Sequence, residues 1–465
     1  MYEDILLKAA SDEIGIKKDL KQRLAKHKGL VHLVMIATKP DIIKQAPLIK
    51  ELLERGEFVV VGHTNQHYDW DLSQSYLEEF GIVPDFNLNI RGDTAEKQSQ
   101  LIFRLSNVLK LFRRENLTPI PYPYSDTLTA SASAISCYLN RFPVAHVEAG
   151  LRTMTPQKEI FTGILKGKNF DVYDYYENLQ GAEWEKGSIE PYPEQFNSRS
   201  SAPCAGIHFA PTKLNEENLL AEGYYRDRIF TVGNTISDAI DLTHKKKFES
   251  EFMKEHPELE DGEMIRFCVH RRANIGSLHR FKAIIDGMEQ LVKDGKQVLF
   301  VSLRGTEAAL NHYGLMEKVK ELDRKNRNFV YTTVLPYREA LATLEACSLV
   351  VTDSGGIQEE ASVTGTPCAT VRFNSDRPES VIAGANILAP PIDKGIFARI
   401  VREASENTKI NRKMRKVGSL YGKDVSKRIV DAVKKVTSEG KMMRFEEDRM
   451  GFSKLGFWEK GGMEW

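Results

Sequence analysis

No stretch of this chain approaches the roughly 20 apolar residues that a membrane-spanning helix needs. The first 28 residues carry charges of both signs and have no signal-peptide core. Neither charge prevails over the whole, with 65 basic and 65 acidic side chains, which argues against general nucleic-acid binding. Cysteine is sparse: five thiols (Cys137, Cys204, Cys268, Cys347, Cys368) in 465 residues, with no CxxC pair. Three of them lie in or beside apolar runs, the habit of buried thiols in a reducing cytosol and not of disulfides or a zinc site. A cytoplasmic protein with no metal is therefore expected. There is no internal repeat and no low-complexity tract.

What is present is an alternation. Apolar runs at 30–37, 58–62, 144–147, 207–210 and 229–232 in the first half, and at 265–269, 298–303, 329–334, 349–352 and 368–373 in the second, read as buried strands. Segments with apolar residues at helical spacing, such as 127–139, 213–221 and 280–292, lie between them. Such alternation predicts parallel sheets covered by helices on both faces. Two series predict an α/β chain of two doubly wound, Rossmann-like domains facing a cleft, with ligands at the carboxyl ends of the strands. The expected division is an extension at 1–28, a first domain at 29–236 with an insertion at 153–203, a second domain at 237–425 with a hinge near 234–247, and a helix and tail at 426–465 packing back on the first domain.

Several strand ends carry chemistry. Ser354-Gly355-Gly356 follows an apolar strand and opens a helix, so backbone can approach an anion closely and free N–H groups point at it. Glu360, one turn further, is placed to take the hydroxyls of a ribose. His146 and Glu148 share one face of a strand that ends at Gly150, and Glu148 is poorly explained as core. Asp126 reads as a helix N-cap by default, with a catalytic role open. Glu194, Asn197 and Arg199 bring a carboxylate, an amide and a guanidinium together in a loop. His270, Arg271 and Arg272 end another strand in three potential cations, suited to a diphosphate, with Arg377 a second clamp.

In order along the chain, Lys39-Pro40 through Lys44, His146-Val-Glu-Ala-Gly-Leu-Arg152-Thr153, Pro193-Glu194 with Asn197, Val232-Gly-Asn-Thr235, His270-Arg-Arg272, Asp353-Ser-Gly-Gly-Ile-Gln-Glu-Glu360 and Arg377-Pro-Glu379 resemble the UDP-N-acetylglucosamine 2-epimerase family. The resemblance spans roughly residues 31–433 and implies a glycosyltransferase-B-like fold. It further implies Asp126, Glu148 and Glu194 as acid/base carboxylates and His270 as the residue that helps UDP depart. Ser354, Gly355 and Gly356 correspond to phosphate binders, Glu360 to the ribose ligand, and Lys39, Lys44, Asn197, Arg199, Arg271 and Arg377 to further substrate contacts. The implied partner is a UDP-sugar; no metal or redox cofactor is implied, and dimers are common in the family.

The chain also departs from that pattern. Lys39 stands where the family usually has Arg, Ala273 where it has Glu, and Gln195 where it has a second Glu. Ser198 intervenes between Asn197 and Arg199, which are usually adjacent. The segment 66–69 only partly matches the family's activator pocket. Three readings stay open: an epimerase making UDP-N-acetylmannosamine, a hydrolysing variant releasing N-acetylmannosamine and UDP, and a non-catalytic UDP-sugar-binding protein.

Overall fold

The structure, a computed structural model, describes residues 14–64, 70–165, 170–245, 248–259, 262–406 and 408–443. The segment 66–69 and most of the aromatic tail fall outside them. Among the described residues no helix is long and apolar enough to cross a membrane.

The chain divides into two α/β units. The first takes in the described parts of Met1–Gly150, Asn197–Thr235 and Asp424–Trp465; the second, those of Leu151–Phe196 and Ile236–Lys423. In the first unit the strands Phe86–Asn87, Val59–His63, Leu30–Ile36 and Thr118–Pro121 lie side by side and parallel. A bridge from Tyr124 to Val147 carries the series on to Ala145–Val147, Ile207–Ala210 and Ile229–Thr231. Counted along the chain, the spatial order is 3-2-1-4-5-6-7. Residues 31–36 are buried on both faces of the sheet, as a parallel strand under two helical layers must be.

The second unit has one six-stranded parallel sheet, in the order Phe329–Thr332, Val298–Val301, Ile265–Cys268, Leu349–Thr352, Cys368–Thr370, Asn386–Leu388. That is 3-2-1-4-5-6, with reversal between the first and fourth strands. Crossovers run outward on either side of that point, so the two strand ends are left open to a ligand. Cys268 is level with Thr352, and the two strands end together.

Two expectations need correction. Part of the supposed extension belongs to the first unit: Gly15–Ile16 pairs antiparallel with Phe86–Asn87, and Leu20 and Leu24 of the helix Lys18–Lys26 are buried. The supposed insertion at 153–203 is not carried by the first unit alone, since the chain up to Phe196 belongs to the second. The reason is its apolar content: Phe161, Ile164, Val172, Tyr175, Tyr176 and Leu179 enter the second unit's core. Tyr175 and Tyr176 also donate their hydroxyls to the Leu388 and Gly384 carbonyls at 3.0 and 2.6 Å.

Leu179 is fully buried, so Leu179→Ala should cost about 2–4 kcal/mol in denaturant unfolding. A cost near zero would mean that the segment is a loose addition to this core.

Candidate functional site

In the first unit the candidate residues follow strands on both sides of the order reversal. The helix Lys39–Glu54 starts just beyond the first strand, with Thr38 and Asp41 forming a capping box at its N-terminus. Its first turns present Lys39, whose ammonium lies 5.4 Å from the Tyr76 ring centroid, and the buried Lys44. Lys44 Nζ donates to Glu148 Oε1 at 2.8 Å, and Asn234 Nδ2 reaches the same oxygen at 2.5 Å. Tyr124 donates to Asn234 Oδ1 at 2.9 Å, and the Thr235 hydroxyl reaches both the Lys44 carbonyl (2.6 Å) and Tyr124 Oη (2.9 Å). Glu148 is thus a buried carboxylate on a built scaffold.

Its backbone is strained as well. Glu148 has φ +59° and Ser125 φ +63°, the left-handed region that costs a non-glycine residue about 1–3 kcal/mol and clusters at functional sites. Gly150 cannot be larger: at φ +84° a Cβ would lie 2.3 Å from the Asn215 carbonyl oxygen.

Asp126 is not the helix cap it was expected to be. The left-handed Ser125 moves the helix start on by one residue, so that Thr127 caps Leu128–Leu139 by accepting from Ala130 N at 3.1 Å. Asp126 is left half-buried, taking a hydrogen bond from the Ser125 hydroxyl at 3.0 Å. Its charge is felt at Asp41: burial pushes that carboxyl up to about 6, Asp126 adds to the rise, and hydrogen bonds from Thr38 and Thr127 oppose it.

Asn197 is buried and accepts from Ser131 Oγ at 3.0 Å. Arg199 is not brought to this group. The extra residue Ser198 occupies the buried position beside Asn197, and one further step around the helix Glu194–Ser201 turns Arg199 outward, to Glu222 at 3.4 Å.

In the second unit the buried Asp353 takes the His270 and Arg271 backbone N–H groups at 2.9 and 3.0 Å and Asn274 Nδ2 at 2.9 Å. This clamps the end of the first strand to the start of the helix Gly355–Thr364. The His270 ring remains 29% exposed, with Nε2 4.0 Å from Asp353 Oδ1. Arg271 pairs with Glu194, while Arg272 is exposed to solvent.

The helix Gly355–Thr364 begins with Ser354, whose hydroxyl makes no capping bond. Its first N–H groups have no partner within the helix. A Cβ on Gly355 would meet Asp376 Oδ2 at 2.9 Å and the Arg377 guanidinium at 3.2 Å, whereas one on Gly356 would meet only Ser354 Oγ, at 4.0 Å. The glycine turn therefore lies tight over a charged floor and is open above.

Arg377 belongs to that floor, not to an exposed clamp: it is buried and bonded to Glu359. Glu360, next to it, stays half-buried. Burial would raise the Asp376 carboxyl, but Arg372, Arg377 and Arg271 outweigh it and hold it at about 2. Glu379 goes the other way: burial pushes it up to about 7 although Arg377 and the Tyr421 hydroxyl, 3.0 Å away, pull it down. Asp353, Asp376, Glu359, Arg372, Asn234, Tyr124 and Asp41 were given no role of their own from the sequence. Asp41, Asn234, Asp353 and Glu359 lie in strings that carry the family resemblance, and Tyr124, Arg372 and Asp376 stand beside strand ends.

Removing Lys44 strands Glu148 in a buried position. Lys44→Met should cost about 3–5 kcal/mol, and adding Glu148→Gln should recover most of it, as read by denaturant unfolding. Glu379 ties stability to pH. From the ordinary carboxylate value of 4.5 up to about 7 the unfolded chain ionises this group while the fold keeps it protonated. Stability should thus fall as pH rises across that window, by on the order of 1–3 kcal/mol. Melting of Glu379→Gln should fall less between those limits, and equal slopes would refute the assignment.

A sequence profile of the family described as UDP-N-acetylglucosamine 2-epimerase matches residues 50–161 and 185–434. The UDP-N-acetylglucosamine 2-epimerase of Methanocaldococcus jannaschii is 31% identical over 76% of this chain and 87% of its own length. That of Bacillus subtilis is 30% identical over 87% and 95%. The crystal structure of the Methanocaldococcus jannaschii protein in complex with UDP-GlcNAc and UDP aligns with TM-score 0.68 and 28% identity, covering 88% of this chain and 99% of that one.

Proposed function

The chain belongs to the UDP-N-acetylglucosamine 2-epimerase family, and we propose that it interconverts UDP-N-acetylglucosamine and UDP-N-acetylmannosamine without net hydrolysis. The observation that supports the reading is a group of side chains and backbone in the second unit suited to an anion. It joins an open helix N-terminus at Gly355–Gly356, the half-exposed His270 and the Arg271 guanidinium at one order reversal. This group suits a diphosphate that must be held as it leaves and returns.

In the proposed reaction a carboxylate takes the C2 proton while the C1–O bond to UDP breaks, giving 2-acetamidoglucal and UDP. The UDP oxygen then re-forms the bond to C1, and a proton is delivered to the opposite face of C2. The C2 proton is weakly acidic, so positioned carboxylates and stabilisation of the departing diphosphate do most of the work. Asp126, Glu148 and Glu194 are proposed for proton transfer. His270 and Arg271 are assigned to the departing diphosphate, Ser354, Gly355 and Gly356 to its phosphates, and Glu360 to the ribose. Lys44 and Asn234 fix the Glu148 carboxylate, while Lys39 and Asn197 are further substrate contacts. We also propose a cytosolic homodimer that supplies polysaccharide synthesis.

Proton NMR with UDP-N-acetylglucosamine in heavy water tests this. Growth of UDP-N-acetylmannosamine with deuterium at C2 is expected; free N-acetylmannosamine and UDP would select the hydrolysing reaction, and an unchanged spectrum would overturn both. Asp126→Asn and Glu148→Gln should each lower kcat by about 10²–10⁴.

A further inference from the structure

The phosphate-binding end of the second unit is crowded with charge. Arg271, Arg372 and Arg377 face Asp353, Asp376, Glu359 and Glu194. A diphosphate entering this group meets four carboxylates. Three have side chains with no exposed surface and are held in place: Asp353 by three donors, Glu359 by Arg377, Asp376 by Arg372. Glu194 differs. Its side chain is 23% exposed, and it is paired with Arg271. It is the one carboxylate that can leave at small cost.

Arg271 is suited to change partners. Its backbone N–H is pinned by Asp353 at 3.0 Å, while its guanidinium lies between Glu194 and Asp376, the latter at 3.7 Å. The segment that carries Glu194 has other anchors. Gln195 Oε1 accepts from Thr153 N at 3.0 Å, and Asn374 Nδ2 donates to Ser188 Oγ and Glu190 Oε2 at 3.3 and 3.4 Å. Breaking the Arg271–Glu194 pair does not set the segment adrift.

We propose that Glu194 is an internal counter-ion which a nucleotide diphosphate displaces from Arg271, so that this carboxylate is released for proton transfer only when the phosphate site is filled. The inference rests on the epimerase reading and adds an order of events to it: phosphate capture first, release of the carboxylate second.

Calorimetric titration of the full chain with UDP and with uridine tests it. Glu194→Gln removes the competitor and should bind UDP about fivefold more tightly, the size of a part-exposed ion pair. Uridine, which lacks the diphosphate, should bind both proteins equally. In an Arg271→Met background the substitution at Glu194 should no longer change UDP affinity. Equal or weaker UDP binding by Glu194→Gln, or tightening that persists without Arg271, overturns the proposal while wild-type UDP binding leaves the epimerase reading intact. Absence of UDP binding by the wild type overturns both. If Glu194→Gln does not fold, Glu194→Ala, which also removes the charge, carries the same prediction.

Discussion

The second unit's working end depends on one buried carboxylate. The reversal of strand order leaves the ends of Ile265–Cys268 and Leu349–Thr352 side by side, with backbone donors beyond them that no sheet partner can take. Asp353 accepts two of these, from His270 and Arg271, and Asn274 Nδ2 as a third. Hydrogen bonds to a charged acceptor are about twice as strong as neutral ones, so a single side chain fixes both the histidine turn and the entry to the glycine helix. The first unit meets the same need by another route. Ser125 N donates to the Val147 carbonyl and Val147 N to that of Pro123, at 2.9 and 3.0 Å, which binds neighbouring strand ends directly. The cost appears as left-handed backbone at Ser125 and Glu148.

The buried cations beneath the glycine turn, Arg372 and Arg377, are arginines, and their contacts suit that choice. A buried ammonium is a point charge, whereas a guanidinium can meet several acceptors in one plane. Arg377 meets Glu359 and the Asp376 carbonyl; Arg372 meets Asn374 Oδ1 and Asp376. These pairs keep Asp376 ionised in a place where burial alone would neutralise it. At Glu379 burial outweighs the pull of Arg377, and the carboxyl is pushed the other way. The floor beneath the glycine turn is therefore already near neutral, and attraction for an added anion must come from the helix N-terminus and from whichever guanidinium is least committed.

Much of this was legible before the fold was known, for a physical reason. Buried parallel strands demand near-continuous apolar runs, so all ten strands expected from such runs are present. The missed strands are short, polar or broken by proline: Gly15–Ile16, Phe86–Asn87, Thr118–Pro121, Met154–Pro156, Trp184–Lys186 and Asn386–Leu388 are held by their neighbours, not by their own pattern. Glu148 and the glycines were visible because they stand at strand ends, and Asp126 because it stands between a strand and a helix. Their partners were not, because Lys44 and Glu148 are 104 positions apart, Asn234 and Glu148 86, and only the folded topology makes them neighbours. Asp126 shows the finer limit, since a single left-handed residue moved the helix cap by one position and changed what that side chain is available to do.

The family profile passes over residues 162–184, yet Ile164, Val172, Tyr175, Tyr176 and Leu179 from that stretch lie in the second unit's core. The strand pair Met154–Pro156 and Trp184–Lys186 closes the added segment, and Met154 also bridges to Ser375. Asn374, one residue away, holds Ser188 and Glu190. The loop that bears Arg372, Asp376 and Arg377 is thus tied at three points to the segment that bears Glu194. A carboxylate on a free loop would have to find the diphosphate site at each turnover. Here it is built onto the same unit as the glycine helix, so its distance from the Gly355–Gly356 turn is set by packing. The added residues contribute packing that fixes position, and position is what the proton transfer proposed for this carboxylate would require.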